Sequence, residues 1–487
     1  MNKNNKQPAY VLGIDIGTTS VKICILNCET ETIVNSHCIS YSFVDTKEIK
    51  TKNHDEQNVA IILIAMEACL NHFSSEQLAN VKTIGICGQM HGCVLWQHNA
   101  WRYSNGSYSI DSNRVSNLYT WQDQRCDEQF LKSLPKSSMK LSTGYGCATM
   151  LWLLKHEPVF LSQFTHSGTI MDFVVAMICD LNKPVMSTQN AASFGFYELT
   201  EEKWDASSLT AVHFPIDLLP KIVKAGSVAA PLAKKWTNID ANDVNVFAAF
   251  GDIQCMVFAV LRQQSHALVL NAGTSMQLCM QMPNGRIPKS GNKDGDADEA
   301  MIKSCVDFFP YFERNFLAVA ASLNGGNVLQ IYVNNVRRLI QLIVGENVST
   351  DQIWNRLIAA AAADNSTMPM QVTVNPCAFG ERFNPKLKAQ ISNISPDVSF
   401  VDIFAAVCYG LINNIFEMMS FDLINGCEIN TLYATGSAFR RNALLKRALH
   451  EYLRTEFNER IKVNYVEEID ANFGAALAAL HYTSTIS

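Results

Sequence analysis

Short apolar stretches alternate along this chain with small, polar punctuation. The first, Tyr10–Val11–Leu12–Gly13–Ile14–Asp15–Ile16, ends in Gly17–Thr18–Thr19–Ser20, and Val21–Lys22–Ile23–Cys24–Ile25–Leu26 follows at once. An apolar run too short for a helix, a tight Gly/Thr turn and a second β-branched run predict a hairpin. The same grammar returns as Ala267–Ala272, Gly273–Thr274–Ser275 and Met276–Met280. Two copies of one turn, one in each half, point to a duplicated architecture holding a ligand between its halves. The period changes to 3.6 elsewhere. From Asn58 to Phe73, Val59, Ile62, Leu63, Met66, Cys69, Leu70 and Phe73 fall on one face, and Val401 to Met419 repeats the pattern. Strands alternating with helices predict an α/β protein.

Three further apolar runs end where a helix is predicted to begin. Val246–Gly251 leads to Asp252 and a helix over 254–261, Ala320–Leu323 leads to Gly325–Gly326–Asn327, and Thr431–Thr435 leads to Gly436–Ser437–Ala438 with a helix from about Asn442. The chain has 487 residues, more than one core usually serves, so two large domains are predicted. The division falls just after Asp252, near Arg262–Ser265, giving domains 8–256 and 257–484. Pro283 to Ala297 reads as a surface loop.

Apolar residues make up 48% and charged residues 17% of the chain, with a formal net charge of -6. That balance supplies a core and gives no electrostatic footprint for nucleic acid or an anionic membrane. The 15 cysteines are scattered, and Cys24, Cys69, Cys87, Cys179 and Cys408 lie in apolar segments, so they read as reduced, core-filling thiols. Met1 to Tyr10 is polar, and the apolar stretch Val59–Leu70 is short and broken by Glu67. A soluble, cytoplasmic protein follows, with no membrane or nucleic-acid partner.

The candidate chemistry sits at the ends of the apolar runs. Glycine at Gly17 lets the backbone approach a ligand, and Thr18 and Thr19 offer hydroxyls and N–H groups to phosphate oxygens. Asp15 suits a water-held Mg²⁺, and Lys22 suits a phosphate. A plain hairpin fits the same residues, although the twin at Gly273–Thr274–Ser275 favours phosphate. Gly325 and Gly436 are either ordinary turns or places where a nucleotide lies against backbone. Gln89, Met90 and His91, set between Gly88 and Gly92, carry donors and acceptors suited to polyol hydroxyls. Trp121 with Asp123 sets an aromatic face beside polar groups. A packed methionine and a surface histidine fit the first motif too, and a core tryptophan with an exposed ion pair fits the second. Asp252 is suited to cap a helix, and also to take a proton from an attacking hydroxyl.

Taken together, D-x-G-T-T-S-x-K at Asp15–Lys22, G-Q-M-H-G at Gly88–Gly92, W-Q-D-x-R at Trp121–Arg125, G-D-x-Q at Gly251–Gln254, G-T-S at Gly273–Ser275 and G-S-A at Gly436–Ala438 resemble the FGGY carbohydrate kinases. The resemblance runs from about Tyr10 to Leu480. It implies two ribonuclease-H-like, actin-like ATPase domains with an interdomain active-site cleft, the first holding sugar and base, the second nucleotide. It implies ATP and Mg²⁺, with Asp252 as catalytic base and Asp15 and Asp252 near the metal, through water. Gly17, Thr18, Thr19, Lys22, Gly273, Thr274 and Ser275 would hold phosphates. Gly325, Gly436, Ser437 and Asn442 would lie along the adenosine, and Gln89, Met90, His91, Trp121, Asp123 and Asp252 would line the sugar.

The stretches Gly88–Trp96, Thr120–Cys126, Gly144–Lys155, Ser187–Gly195 and Ala320–Leu329 are similar to one branch of that family. That branch phosphorylates the terminal C7 hydroxyl of sedoheptulose, in the pentose phosphate pathway. Xylulose, ribulose or a related polyol is the alternative substrate. A chaperone-like ATPase or an inactive sugar sensor is the alternative of another class. Thr149 and Ile253 depart from the wider family, which carries Lys at the first position and Gln or Asn at the second in other branches. A monomer or homodimer is expected.

Overall fold

The computed structural model describes residues 8–43, 50–51, 53–241, 243–262, 264–282, 305–363, 372–467 and 469–486. The predicted loop at Pro283–Ala297 lies outside them. The chain divides into two compact units. The first comprises Met1–Ala259, Pro310–Arg314 and Asp470–Ser487, and the second Val260–Phe309 and Asn315–Ile469.

The first unit is built on β1 (Tyr10–Ile16), β2 (Ser20–Asn27), β3 (Ile33–Ser40), β4 (Val81–Gly88), β5 (Val228–Pro231) and β6 (Asn245–Phe247), in the sheet order β5-β6-β4-β1-β2-β3. β1 and β2 form the predicted hairpin, with Asp15 opposite Lys22 and Ile16 opposite Val21. β4 runs parallel to β1, and β6 parallel to β4. β1 is buried along most of its length because both of its faces are covered. Leu12, Ile14 and Ile16 pack into a core with Ile62, Leu63 and Met66 of the helix Val59–Leu70. Asn58 caps that helix by accepting the Ala60 N–H.

On the other face lies Ala471–Ile486, and two strand glycines admit it. A Cβ at Gly13 would come within 2.1 Å of the Asn472 carbonyl oxygen, and one at Gly85 within 2.3 Å of that of Ala475. This close packing of strand on helix explains why the last residues of the chain belong to the first unit. A linear division at 256/257 misses that return.

The second unit repeats the plan with β7 (Ala267–Ala272), β8 (Met276–Gln281), β9 (Val306–Pro310), β10 (Phe316–Ser322), β11 (Thr431–Thr435) and β12 (Lys462–Tyr465), in the order β9-β10-β8-β7-β11-β12. β7–β8 and β8–β10 are antiparallel, while β7–β11 and β11–β12 are parallel. Without the outermost β5 and β9, the two units share one strand order and one set of directions, the ribonuclease-H-like arrangement. The helix Phe400–Met419 buries Phe404, Leu411, Ile412, Ile415 and Phe416 in this unit's core. It is long and apolar enough to cross a membrane, yet half buried as a core helix. All fifteen cysteines are free and thirteen are buried.

Candidate functional site

Strand alternation that sends Leu12, Ile14 and Ile16 into the core turns Asp15 to the face that carries Gly13. Lys22, its cross-strand neighbour, bonds through Nζ to Asp470 Oδ1 at 2.5 Å. Asp470 stands just ahead of the helix Ala471–Ile486. Asp252 opens the helix Asp252–Leu261, whose Cys255 N–H is accepted by the Gly251 carbonyl at 3.0 Å. The two helices touch so closely that a Cβ at Gly474 would lie 2.0 Å from the Cys255 carbonyl oxygen.

Asp15, Asp252, Asp470 and Lys22 therefore share one electrostatic neighbourhood. Burial, and after it the charge of Asp252, pushes the Asp15 carboxyl up to about 7; Lys22 opposes this and Asp470 adds to it. Burial also pushes Asp252 up to about 6, against the lowering effect of the backbone N–H groups of Ile253 and Asp252. Burial works against the charge on Lys22, but the hydrogen bond and charge of Asp470, with Asp15, outweigh it and raise its pKa. A carboxylate whose pKa approaches neutrality is suited to general-base work. Mg²⁺, a hard cation taking oxygen ligands and keeping several waters, fits Asp15 and Asp252 chemically. Among the described residues, no group of three or more His, Cys, Asp and Glu is placed to hold a metal unaided.

The turn Gly17–Ser20 is tied down from several sides. Gly17 N–H donates to the Ser20 carbonyl at 3.0 Å, and the Gly17 carbonyl accepts the Tyr41 hydroxyl at 2.9 Å and Gln89 Nε2 at 3.2 Å. Gln57 donates to the Thr18 carbonyl at 2.7 Å and accepts from Gln89 at 3.0 Å. Trp121 Nε1 donates to Thr18 Oγ1 at 3.0 Å. Met90 lies against Gly251, where a Cβ would come within 2.7 Å of its sulfur, so it reaches the residue preceding Asp252. His91 adopts a left-handed backbone, φ 72°, stacks on Tyr145 at 4.5 Å and donates from Nδ1 to the Ser193 carbonyl at 3.0 Å. That bond makes Nε2 the acceptor of the neutral ring. Gln89 and Trp121 thus reach the turn and Met90 the start of the Asp252 helix, while the His91 ring is held by Tyr145 and Ser193.

Asp123 has a different place. It is fully buried, and its carboxylate accepts Arg125 N–H at 3.0 Å, Arg125 Nε at 2.8 Å, Arg125 Nη2 at 2.9 Å and Asp55 N–H at 2.9 Å. With no exposed surface and four donors already in place, it offers a sugar nothing. The W-Q-D-x-R motif is a buried clamp in which only the tryptophan reaches the turn.

In the second unit, Gly273–Thr274–Ser275 links β7 to β8, with Gly273 N–H donating to the Ser275 carbonyl at 3.0 Å. The loop after β10 supports it: Gly326 N–H donates to the Gly273 carbonyl at 2.9 Å and Asn327 N–H to the Thr274 carbonyl at 3.1 Å. Gly436 sits against the same strand end. Its φ is 103°, and a Cβ there would come within 2.4 Å of the Ala272 carbonyl oxygen, so glycine is required. Ser437 begins the short helix Ser437–Arg441. Gly273, Thr274, Ser275, Gly325, Gly436 and Ser437 therefore converge at one end of this sheet.

Asn442 departs from its expected role beside a nucleotide. It is buried, and its Oδ1 accepts the N–H groups of Leu444 at 3.0 Å and Leu445 at 3.3 Å, capping the helix Ala443–Phe457. Asp470 and Gln57 are not singled out by the sequence, and Arg125 enters there only as the end of the W-Q-D-x-R motif. Asp470 carries no local motif; only the run of small residues after it, matching Gly13 and Gly85, signals a helix packed on β1.

A profile of the FGGY family of carbohydrate kinases, N-terminal domain, matches residues 10–259. The sequence is 37% identical to the sedoheptulokinase of Mus musculus over 482 residues, covering 96% of this chain and 97% of that protein. It is 36% identical to the sedoheptulokinase of Homo sapiens over 484 residues, with the same coverage. Among solved structures, the ligand-bound xylulose kinase of Lactobacillus acidophilus superposes with a TM-score of 0.75 at 19% identity, covering 98% of this chain and 90% of that one.

Proposed function

This chain belongs to the FGGY family of carbohydrate kinases and is an ATP-dependent sugar kinase; we propose that it transfers the γ-phosphate of ATP to the C7 hydroxyl of sedoheptulose. The products are sedoheptulose 7-phosphate and ADP. The substrate is drawn from the two full-length mammalian relatives. The chemistry rests on one observation: Asp252, raised to about 6, opens its helix within the electrostatic reach of Asp15.

Asp252 takes the proton from the C7 hydroxyl as that oxygen bonds to the γ-phosphorus, and the bond to the β–γ bridging oxygen breaks. Little covalent work falls to the protein in such a transfer, so positioning and charge dominate. Lys22 and the turn Gly17–Thr18–Thr19 hold phosphates from the first unit, and Gly273–Thr274–Ser275 holds them from the second. Gly325, Gly436 and Ser437 run along the adenosine. Gln89, Met90, His91 and Trp121 line the sugar. Asp15 and Asp252 would hold Mg²⁺, which would supply positive charge to the triphosphate.

The first unit, close to residues 8–256 with its C-terminal return, carries sugar and base; the second carries nucleotide. The protein works in the cytoplasm as a monomer or homodimer, without nucleic acid or membrane. Free cysteines throughout accord with a reducing compartment.

A panel of sedoheptulose, xylulose, ribulose and glycerol in an assay coupled to ADP release tests the substrate. The highest kcat/KM is expected for sedoheptulose. A higher value for xylulose or ribulose would assign the site to a pentulose.

A further inference from the structure

We propose that Glu381, remote in sequence from every motif above, is a positioning residue that sets the second phosphate turn and with it the affinity for ATP. The inference rests on Gly273–Thr274–Ser275 serving as a phosphate turn.

Glu381 has no exposed surface. It stands in a tight turn, its N–H donating to the Asn384 carbonyl at 3.1 Å and its carbonyl accepting Asn384 N–H at 3.0 Å. Its carboxylate is surrounded by donors. Oε1 accepts the Ser322 hydroxyl at 2.6 Å, Asn324 Nδ2 at 2.9 Å and Asn414 Nδ2 at 2.9 Å, and Oε2 accepts the Leu323 N–H at 3.0 Å. Asn324, also fully buried, completes the bolt: it accepts the Phe379 N–H at 3.1 Å and donates to the Gly380 carbonyl at 2.8 Å.

The loop fastened in this way runs on into the residues that support the turn. Ser322 pairs with Met276 at the start of β8. A Cβ at Gly325 would come within 2.7 Å of the Ser275 carbonyl carbon. Gly326 and Asn327 donate to the carbonyls of Gly273 and Thr274. A shift of residues 322–324 is therefore passed directly to Gly273–Ser275. Only an acceptor without protons satisfies these four donors together; an amide would turn an N–H₂ group towards at least one of them.

The test is steady-state kinetics and thermal melting of Glu381→Gln, with Gly325→Ala as a variant that disturbs the turn directly. A turn set out of place by this change is expected to raise KM for ATP about tenfold, equivalent to ~1.4 kcal/mol of binding. The expectation is that Glu381→Gln raises KM for ATP by that factor, with kcat and the sugar KM within about twofold. A lowered melting temperature with an unchanged KM for ATP would make Glu381 merely structural and overturn the inference, provided Gly325→Ala raises KM for ATP. If neither variant changes KM for ATP, the phosphate turn itself is misassigned and the inference falls with it. Should Glu381→Gln fail to fold, Ser322→Ala is read the same way; it removes the 2.6 Å bond to Glu381 together with those the hydroxyl accepts from Asn324 N–H at 3.0 Å and Asn414 Nδ2 at 3.1 Å, and leaves the carboxylate in place.

Discussion

Water stabilises an ionised carboxylate, and Asp252 and Asp15 have lost much of it. That is why both hold protons to a pH well above a surface aspartate. A base must be ionised to work, so kcat/KM is expected to fall as pH is lowered through the range about 7 to about 6. A pH–rate profile flat across that range would contradict this. Asp252→Asn keeps the shape and removes the proton acceptor. It should lower kcat by ~10²-fold or more and leave both KM values within a few-fold, as steady-state kinetics would show. The residue scale is also where sequence was least sufficient. Asp123 and Asn442 carry suitable groups, but their partners decide their use: Arg125 and Asp55 take up the first, a helix end takes up the second. Those partners lie within a few residues for Asn442 and across the fold for Asp55, and no motif encodes the latter.

Elements were more legible, because periodicity and punctuation are local. The hairpin at Tyr10–Asn27, its twin at Ala267–Gln281 and the helices near Val59 and Phe400 all follow from patterns within their own windows. The helix Ala471–Ile486 was not predicted, and its place on β1 depends on Gly13 and Gly85 in distant strands. Gly13→Ala should push this helix off β1 and destabilise the protein by ~1–3 kcal/mol, measured by denaturant unfolding. An unchanged midpoint would show that the approach relaxes without cost.

The helix Ile170–Ile178 carries a further buried carboxyl. Asp172 Oδ2 accepts both the N–H at 3.0 Å and the hydroxyl at 2.7 Å of Thr169, yet burial pushes its pKa up to about 7. Between the ordinary 3.8 and about 7 the native state binds more protons than the unfolded chain, so this group makes stability fall as pH rises through that window. Asp172→Asn removes that slope. Its melting temperature should fall less than that of the natural protein between pH 5 and pH 8; parallel curves would contradict the assignment.

At the scale of the whole chain, duplication is the organising fact: one five-strand plan, used twice, presents a Gly/Thr turn at the same hairpin each time. The sequence discloses the duplication through the two turns and the kinase resemblance through motifs spread from Asp15 to Ala438. It does not disclose that residues 470–487 complete the first unit. A chain truncated after Ile469 should therefore lose the Lys22–Asp470 pair and the cover on β1, and with them all kinase activity and the cooperative melting of the first unit. Retained activity would show that the return is dispensable.

The central claim is transfer of phosphate to the end of a seven-carbon sugar. Incubation with ATP and sedoheptulose, followed by phosphorus–proton correlation spectroscopy of the product, reads it most directly. One phosphate ester at C7 for each ADP formed is predicted; ADP without a sugar phosphate, or an ester at another carbon, would contradict it.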